Sequence, residues 1–483
     1  MSKIIEIIKK KWLRETFLTI LLIAIIFAIY FLINFVNEKL NLQDIDMTAD
    51  KIYSISEATE TKLKDLSKPV TIELINLGDY RYISDFADKY SNLNSNIVVE
   101  KVDDLSTRLD LVNKYNMELT DSLIRISSGE RETILSVYDL FTYDYTTYEQ
   151  IDLTEEKITN AIIEVTIENK PKIYFLEGHN QYGSSYFQVL KQDLESEANE
   201  VDSLNILVKG NVPEDCKCLI ITTLKEDLTE IERDKIIEYS NKGGKILLLA
   251  DANVLNVNLT NFNQILDLYG FRISDGLLIE QDTSKMIYGA PEFIISEIEP
   301  YSAITGNSKM NLSVCVIDSA KINFKDEETL NSINVTYSPL ARTSKSAFIR
   351  NNLYIQTFNK TEQDEDAPEA IVGALVTRNL ENNNKAEMIV FSSSTFATNQ
   401  QINITNDYAV YANRLCNNDD VVKNSVSYLT QRTDTITIRK DAESTTYNVT
   451  ENEHGIIVAI IFIIPVVIII IGIVVWQIRR RKK

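Results

Sequence analysis

Two polar side chains of this chain stand at positions where catalysis or ligand binding could take place. His179 comes shortly after the apolar run 172–176, and Asp251 comes directly after the apolar run 245–250. Both runs are typical of buried strands, and ligands of open α/β sheets bind beyond the carboxyl ends of parallel strands. An imidazole there could act as a general base, although a hydrogen-bonded histidine and a capping aspartate explain the same residues. The candidate ligand-binding residues of this edge are Gly178, His179, Asn180 and Asp251.

The turn after the first run resembles half of a phosphate-binding loop. Gly178 and Gly183 have the G-x-x-x-x-G spacing, but Ser184 stands where such a loop needs a lysine to contact the phosphates. We therefore interpret this segment as a tight strand-to-helix turn, and we do not expect the chain itself to hydrolyse ATP.

Cysteine and histidine usage gives little support to other chemistry. The four cysteines, Cys216, Cys218, Cys315 and Cys416, are scattered, and the chain has only two histidines. Cys216 and Cys218 stand at the start of their predicted strand, whereas a catalytic nucleophile sits on a turn after a strand. A zinc site would need a second pair of ligands. We predict no catalytic residue, no metal and no cofactor, while a disulfide between distant cysteines stays open.

The segment 170–251 must position the candidate edge. Its strand-like runs alternate with helical patterns and lie at 172–176, 204–208, 218–224 and 245–250. Thr229 followed by Glu232 has the spacing of a capping box, which predicts a helix that runs to Asn241. This alternation predicts an α/β fold with a mostly parallel, doubly wound sheet of the flavodoxin or glutamine-amidotransferase type. Apolar runs at 370–377 and 386–391 could complete the sheet, and 419–429 is its predicted last helix.

A smaller α/β unit precedes this segment. Ser56 is the predicted N-cap of a helix, and strands are predicted at 70–75, 97–102, 122–127 and 132–138, with helices between the first three. This order is similar to a thioredoxin-like layout without a C-x-x-C motif. A core-facing helix that contains Ile158, Ala161, Ile162 and Val165 joins the two units, because these residues have i, i+3, i+4, i+7 spacing.

Charge and hydropathy predict a membrane-anchored protein. The formal net charge of -21 argues against a nucleic acid partner, because an acidic surface repels phosphate. The uncharged run 17–36 is long enough to span a bilayer, as is 456–476, although a cleaved signal peptide is the alternative for the first run. Basic residues flank the outer ends of both runs, so the positive-inside rule predicts cytoplasmic termini and an extracellular region of about 37–454.

The predicted domain organisation follows from these features. It comprises a cytoplasmic tail 1–14, a transmembrane helix 15–36, a membrane-proximal segment 37–69, a thioredoxin-like domain 70–150, an amidotransferase-like domain 151–430, a juxtamembrane stem 431–454, a second transmembrane helix 455–478 and a cytoplasmic tail 479–483.

Several stretches together resemble the GldG-like auxiliary subunits of gliding-motility-type ABC transporters. The similar stretches are 48–56, 68–72, 158–162, 170–179, 228–251 and 388–399, with Gly472 and the arginine tail of the closing span. The resemblance covers nearly the whole chain. The family turn usually reads Gly-His-Gly-Glu and the late strand usually ends in Gly-Asp-Ser-Asp-Phe. Residues 178–181 (GHNQ) and 392–396 (SSSTF) differ, and both differences remove carboxylates from the candidate edge.

The resemblance implies a non-catalytic extracytoplasmic domain that works with a separately encoded ABC permease and ATP-binding subunit. It also implies an amidotransferase-like fold without the amidotransferase nucleophile. We therefore predict a membrane-anchored auxiliary subunit whose ectodomain binds a substrate or a cell-envelope partner. Two alternatives stay open: a surface hydrolase that uses His179 with Asp251, and an adhesin or sensor that works without a transporter.

Overall fold

A computed structural model describes residues 54–431, apart from 144–149, 180–183, 301, 303, 306–311, 355–357 and 406–407, together with the isolated residues 472 and 477. Asn180 therefore lies outside the described residues, as do the first predicted span and tail, the stem beyond its first residue, and all but two residues of the second span and tail. Among the residues that the structure describes, no helix has both the length and the apolarity needed to cross a membrane.

The first sheet is a four-stranded α/β unit in the predicted element order. Its elements are α1 (Glu57–Lys64), β1 (Val70–Ile75), α2 (Arg81–Asp88), α3 (Tyr90–Leu93), β2 (Ile97–Val102), α4 (Leu109–Tyr115), β3 (Leu123–Ser128), β4 (Arg131–Ser136), the short pair β5 (Phe141–Tyr143) and β6 (Gln150–Asp152), and α5 (Thr154–Thr166). The strand order is β2-β1-β3-β4, in which β1 and β2 are parallel and the other pairs antiparallel. Ser56 caps α1 as predicted, because its side chain accepts from the main-chain nitrogen of Thr59.

The joining helix α5 packs onto this sheet through the predicted residues. Ile158, Ala161, Ile162 and Val165 are buried in one cluster with residues of β1 and β3. Their spacing places them on one face of the helix, and this face is buried against the sheet.

The larger part of the chain contains the remaining elements. They are β7 (Lys172–Leu176), α6 (Gln188–Ser196), β8 (Glu200–Leu204), α7 (Ile206–Lys209), β9 (Cys216–Ile221), α8 (Glu230–Asn241), β10 (Lys245–Leu249), α9 (Thr260–Leu268), β11 (Phe271–Ile273), β12 (Leu277–Ile279), β13 (Phe293–Glu297), β14 (Ser313–Ile317), β15 (Ile322–Phe324), α10 (Glu327–Ser332), β16 (Val335–Arg342), β17 (Phe348–Arg350), β18 (Glu365–Asp366), β19 (Ile371–Asn379), β20 (Lys385–Phe391), β21 (Gln401–Thr405), β22 (Tyr408–Tyr411) and α11 (Asn418–Leu429). The runs expected at 370–377 and 386–391 are β19 and β20, and the predicted last helix is α11.

Seven of these strands form the large sheet, in the order β16-β19-β20-β10-β9-β7-β8. The five strands from β8 to β20 are parallel, and β19 and β16 extend them with antiparallel pairs. In chain order the parallel strands read 2-1-3-4-5, which is the flavodoxin-like arrangement of doubly wound sheets. The mixed α/β fold class is therefore confirmed for the described residues.

The apolar strands are explained by cores on both faces of the large sheet. Ile173 and Phe175 of β7 face a first core layer that includes Leu190 of α6 and Val422 of α11. The alternate residues Tyr174 and Leu176 face a second core layer, which includes residues of α8 and α9. Strands covered on both faces need apolar side chains at successive positions, which is the pattern that the sequence shows.

One predicted strand is wrong. The run 204–208 was expected to be a strand, but β8 ends at Leu204 and α7 begins at Ile206. Asn205 caps this short helix with its side chain, and Leu207 and Val208 lie on the surface. An apolar run of this length fits a strand or a helical turn equally well by pattern alone. The true strand β8 is polar enough that its sequence gave no apolar signal.

Candidate functional site

The candidate edge of the large sheet lies at the point where the strand order reverses. From β7 the chain passes to β8 on one side of the sheet, and then to β9 on the other side of β7. In doubly wound sheets a crevice forms at such a reversal, beyond the carboxyl ends of the strands. Gly178 and His179 follow β7 and therefore lie where the sequence predicted a ligand-binding edge. Their role in ligand binding stays a prediction.

His179 is buried and bonded to the first turn of α8. Its Nε2 lies 3.0 Å from Oε1 of Glu232, and the two residues are 4% and 1% exposed. The other carboxylate oxygen of Glu232 accepts from the main-chain nitrogen and the hydroxyl of Thr229, at 2.9 Å and 2.7 Å. The predicted capping box of α8 is confirmed, and the same carboxylate also positions the imidazole.

The loops after β7 and β9 are joined beside this histidine. The main-chain nitrogen of Lys225 donates to the carbonyl of His179 at 3.1 Å. Gly178 has a φ of 115°, and a Cβ at this position would lie 3.1 Å from Nδ2 of Asn205. Glycine is therefore required by the backbone conformation of the turn, since other residues rarely adopt a positive φ of this size. The hydrogen bond from Lys225 therefore joins the turn after β7 to the loop after β9.

Asp251 follows β10 and holds the chain that follows β20. Its Oδ1 accepts from the main-chain nitrogens of Ser394 and Thr395, and its Oδ2 accepts from the hydroxyl of Thr223 at 2.8 Å. Burial raises the pKa of Asp251, whereas the bonds from Ser394, Thr395 and Thr223 act in the opposite direction. The carboxylate thus binds main-chain nitrogens at the start of the short 3₁₀ helix Thr395–Ala397, whereas the sequence predicted that it would cap the segment directly after it.

Among the hydrogen bonds of the described residues, none joins His179 to Asp251. His179 contacts Glu232 and Lys225, whereas Asp251 contacts residues that follow β9 and β20. The strands that carry the two residues are separated by β9, and two strand spacings amount to about 10 Å. A general base and its partner must lie within hydrogen-bond reach, so these two residues are not arranged as a catalytic dyad.

A second carboxylate beside Asp251 was not found from the sequence. Asp318 follows β14, and its carbonyl accepts from the main-chain nitrogen of Ala252 at 2.9 Å. Asp318 is exposed at the surface, yet partial desolvation by the surrounding protein and the charges of Asp251 and Glu292 raise its pKa to about 6. The available signal was an aspartate directly after the apolar run 313–317, the same signal that selected Asp251.

The two neighbouring cysteines do not form half of a metal site. The pairing of β7 with β9 is irregular between Lys172 and Ile173, which face Cys216 and Cys218 respectively. This bulge places Cys218 in the first core layer and Cys216 in the second, on opposite faces of the sheet. Burial raises the pKa of the Cys216 thiol to about 12 and that of Cys218 further, so neither thiol is activated. The described residues contain no group of three or more side chains suited to a metal ion.

The chain has recognisable relatives. It is similar to the N-terminal domain of mmIFT52, with 14% identity, a TM-score of 0.40 and coverage of 53% of this chain and 97% of that one. It is also similar to a glutamine amidotransferase from Thermotoga maritima, with 8% identity, a TM-score of 0.24 and coverage of 47% and 76%. A search of curated proteins found no match.

Residues 170–425 match the family described as "ABC-type uncharacterized transport system". This chain therefore belongs to that family of ABC transport system auxiliary components, as its resemblance to GldG-like subunits predicted.

Proposed function

We propose that this chain is a non-catalytic, membrane-anchored auxiliary subunit of an ABC transporter. Its two spans would hold residues 37–454 outside the cytoplasm, and a separately encoded permease and ATP-binding subunit would be its partners. The ectodomain would bind a substrate or a cell-envelope partner and follow the movement of the permease. Family membership supports association with an ABC transport system, and the arrangement of the sheet edge supports a role without catalysis.

One observation carries the proposal: the polar residues of the candidate edge form hydrogen bonds to other parts of the domain. In described contacts, His179 is bonded to a helix cap through Glu232, and Asp251 holds the chain after β20. A hydrolase would need a nucleophile within reach of an available base. The thiols of Cys216 and Cys218 lie inside the sheet rather than beyond its carboxyl edge. The edge therefore holds the domain together where a related enzyme would hold its reacting groups.

A second feature supports a mechanical role. Consecutive glutamates in the first turn of α5 contact both ends of the described chain. Glu155 accepts bonds from Ser56 and Thr59 at the start of α1, and Glu156 lies 3.8 Å from Nζ of Lys423 in α11. In sequence, α1 follows the first predicted span and α11 precedes the second. Force applied at either end would therefore reach the same helix turn.

Purification of the tagged full-length chain in mild detergent tests the proposed partners. We expect one ATP-binding subunit and one permease to co-purify in constant proportion. A tagged, unrelated two-span membrane protein from the same cells serves as the control. Recovery of this chain alone, with neither partner enriched over that control, would count against the proposal.

Topology is tested separately with intact cells. Protease added from outside is expected to cleave within 37–454 and to leave epitopes at both termini protected until the cells are lysed.

Deleting a neighbouring ATP-binding subunit gene distinguishes the transporter function from the adhesin or sensor alternative. Loss of the phenotype of this chain is expected, whereas an unchanged phenotype would favour a function without a transporter.

A further inference from the structure

Two thiols that are far apart in sequence meet beside the β14 strand. Cys315 lies in β14, and Cys416 lies just before α11. Cys416 forms an isolated antiparallel bridge with Val314, the neighbour of Cys315. The next residue continues this pairing, because the nitrogen of Asn417 donates to the carbonyl of Ser313 at 2.9 Å. The segment before α11 is therefore paired with β14 at the position of the cysteine.

The side chains of the two cysteines lie on the same side of this pairing. Val314 faces the first core layer, so the next residue in the strand, Cys315, faces the opposite side. There Cys315 belongs to a separate hairpin cluster, composed of Ile287, Cys315, Ile317, Val410, Ala412 and Leu415, and Cys416 packs against that cluster. Cys416 has a φ of 51°, so its side chain does not follow the alternation of an extended strand.

The spacing of the two residues suits a covalent link. Residues that face each other in an antiparallel pair have Cα atoms about 5 Å apart, and one step along the strand adds about 3.3 Å at a right angle. An ideal antiparallel pair with this offset has Cα atoms about 6 Å apart, which is the usual separation in a disulfide, so the pairing leaves Cys315 and Cys416 within reach of each other.

Asn418 fixes this arrangement from the first turn of α11. Its Oδ1 accepts from the main-chain nitrogen of Cys315 at 2.7 Å, and its Nδ2 donates to the carbonyl of Cys315 at 3.2 Å. Asn418 is fully buried. The chain that carries Cys416 is thus held against β14 by buried bonds on its C-terminal side, so pairing of the thiols requires little movement of the backbone.

We propose that Cys315 and Cys416 are a redox-active pair that forms a disulfide by exchange with an oxidising disulfide, such as that of a protein thiol oxidase or oxidised glutathione. The supply of such an oxidant rests on the proposed extracytoplasmic position of the domain, since cytoplasmic thiols are kept reduced. The link joins the β13–β14 hairpin to the start of α11, the helix that precedes the second predicted span.

The exchange proceeds in two balanced steps. Cys416, which is only partly buried, loses its proton, and its thiolate attacks the oxidant; the S–S bond of the oxidant breaks and a mixed disulfide forms. The thiolate of Cys315 then attacks Sγ of Cys416 and releases the second thiol of the oxidant. The protein loses two protons and two electrons, and the oxidant is reduced to two thiols. Cys315 is fully buried, so the accessible Cys416 reacts first.

The test uses the purified full-length chain in mild detergent, equilibrated with oxidised and reduced glutathione. After denaturation, a polyethylene glycol maleimide counts the free thiols by gel shift. We expect two of the four thiols to be lost under oxidising conditions, and peptide mapping to join Cys315 to Cys416. The midpoint of thermal unfolding is expected to rise by about 2 °C or more on oxidation.

Matched variants make the assignment specific. Cys416→Ser is expected to keep three reactive thiols under both conditions. Cys315→Ala is expected to keep three when reduced and two when oxidised, because Cys416 then stays in a mixed disulfide with glutathione that no second thiol resolves. The double variant Cys216→Ser with Cys218→Ser is expected to lose its two remaining thiols on oxidation. Four reactive thiols in the oxidised wild-type chain, a different pair in the peptide map, or loss of two thiols in Cys416→Ser would each overturn the proposal.

Trapping thiols in intact cells separates this inference from the proposed function. The pairing in vitro does not depend on where the chain lies, so its failure contradicts the disulfide and leaves the transporter assignment unaffected. A pair that forms in vitro and is also oxidised in cells supports both. A pair that forms in vitro but stays reduced in cells contradicts the extracytoplasmic placement and, with it, the proposed oxidant.

Discussion

Oε1 of Glu155 accepts hydrogen bonds from the main-chain nitrogen and the hydroxyl of Ser56, at 2.8 Å and 2.6 Å, across 99 residues of sequence. The hydroxyl of Thr59 donates to the same oxygen at 2.6 Å. Glu155 thereby completes the cap of α1 from another helix. Because Glu156 contacts Lys423 in α11, a single helix turn connects the first and last described helices.

The first prediction concerns this contact. Glu155→Ala is expected to lower the free energy of unfolding by about 3 kcal/mol, because three bonds to a buried carboxylate are lost. Urea unfolding of the full-length chain in detergent, followed by far-UV circular dichroism, provides the measurement. Glu168→Ala is the control, since Glu168 is exposed and pairs with Lys68, and its removal should cost less than about 1 kcal/mol. Equal effects of the two changes would contradict the proposed connection.

The second prediction concerns the buried ammonium of Lys423. It lies 3.3 Å from Asp420, 3.6 Å from Asp419 and 3.8 Å from Glu156. Burial by itself would lower the pKa of Lys423, but the neighbouring carboxylates outweigh it and raise the pKa. Lys423→Met should therefore lower the free energy of unfolding by about 3–5 kcal/mol, because the buried carboxylates of Asp420 and Glu156 lose this neighbouring positive charge, whereas Asp419 keeps its ion pair with Arg414.

The control for Lys423 is Lys242→Met. Lys242 is mostly exposed and forms a 2.8 Å ion pair with Glu238 within α8. Such surface pairs contribute less than about 1 kcal/mol. Thermal unfolding of the two variants, recorded in the same detergent, distinguishes them. A Lys423→Met variant as stable as Lys242→Met would show that the charge cluster adds no net stability.

The third prediction separates a structural from a catalytic role for the His179 and Glu232 pair. Glu232→Ala removes both the capping box and the bond to His179, so we expect a loss of about 2 kcal/mol in unfolding free energy. Glu230→Ala alters the same helix turn at an exposed position and should cost no more than about 1 kcal/mol. Loss of cellular activity in Glu232→Ala at unchanged stability and protein level would instead favour chemistry at this edge.

The fourth prediction concerns pH. The pKa of Asp318 is about 6 in the folded protein and near 3.8 in the unfolded chain, so the folded state binds more protons between these values. The ionised carboxylate therefore opposes folding, and its unfavourable contribution grows as the pH rises from 4 to 6. Asp318→Asn should match the wild type at pH 4 and exceed its stability at pH 7. Asparagine also tolerates the left-handed backbone at this position, where φ is 52°.

Unfolding at pH 4 and pH 7 tests this expectation. Asp234→Asn, which removes an exposed carboxylate from α8, provides the baseline for a surface charge. A stability difference between Asp318→Asn and the wild type that is the same at both pH values would contradict the argument.

Sequence reasoning predicted elements well where a local signal was strong. The α8 helix had its capping box at Thr229 and Glu232, and β10 had an uninterrupted apolar run, so both were assigned correctly. The position of β8 was predicted wrongly because most of its side chains are polar. Its place in the sheet depends on backbone pairing with β7, which leaves no apolar pattern in the sequence. At the candidate edge, the positions of His179 and Asp251 after their strands were predictable. Their partners were not, because Glu232 and Thr395 are distant in sequence and come into contact only through the strand order.

By itself, the sequence of this protein determined the α/β class, the family, and that His179 and Asp251 follow their strands, since composition, apolar periodicity and capping residues act over a few neighbouring positions. Only the tertiary structure decided which residues they contact. A bulge places Cys216 and Cys218 on opposite faces of the sheet. Because of the strand order, His179 and Asp251 contact different parts of the chain. Pairing of distant segments also brings Cys416 beside Cys315. These relationships depend on the register and order of strands, which the global packing of the chain sets and no local pattern encodes.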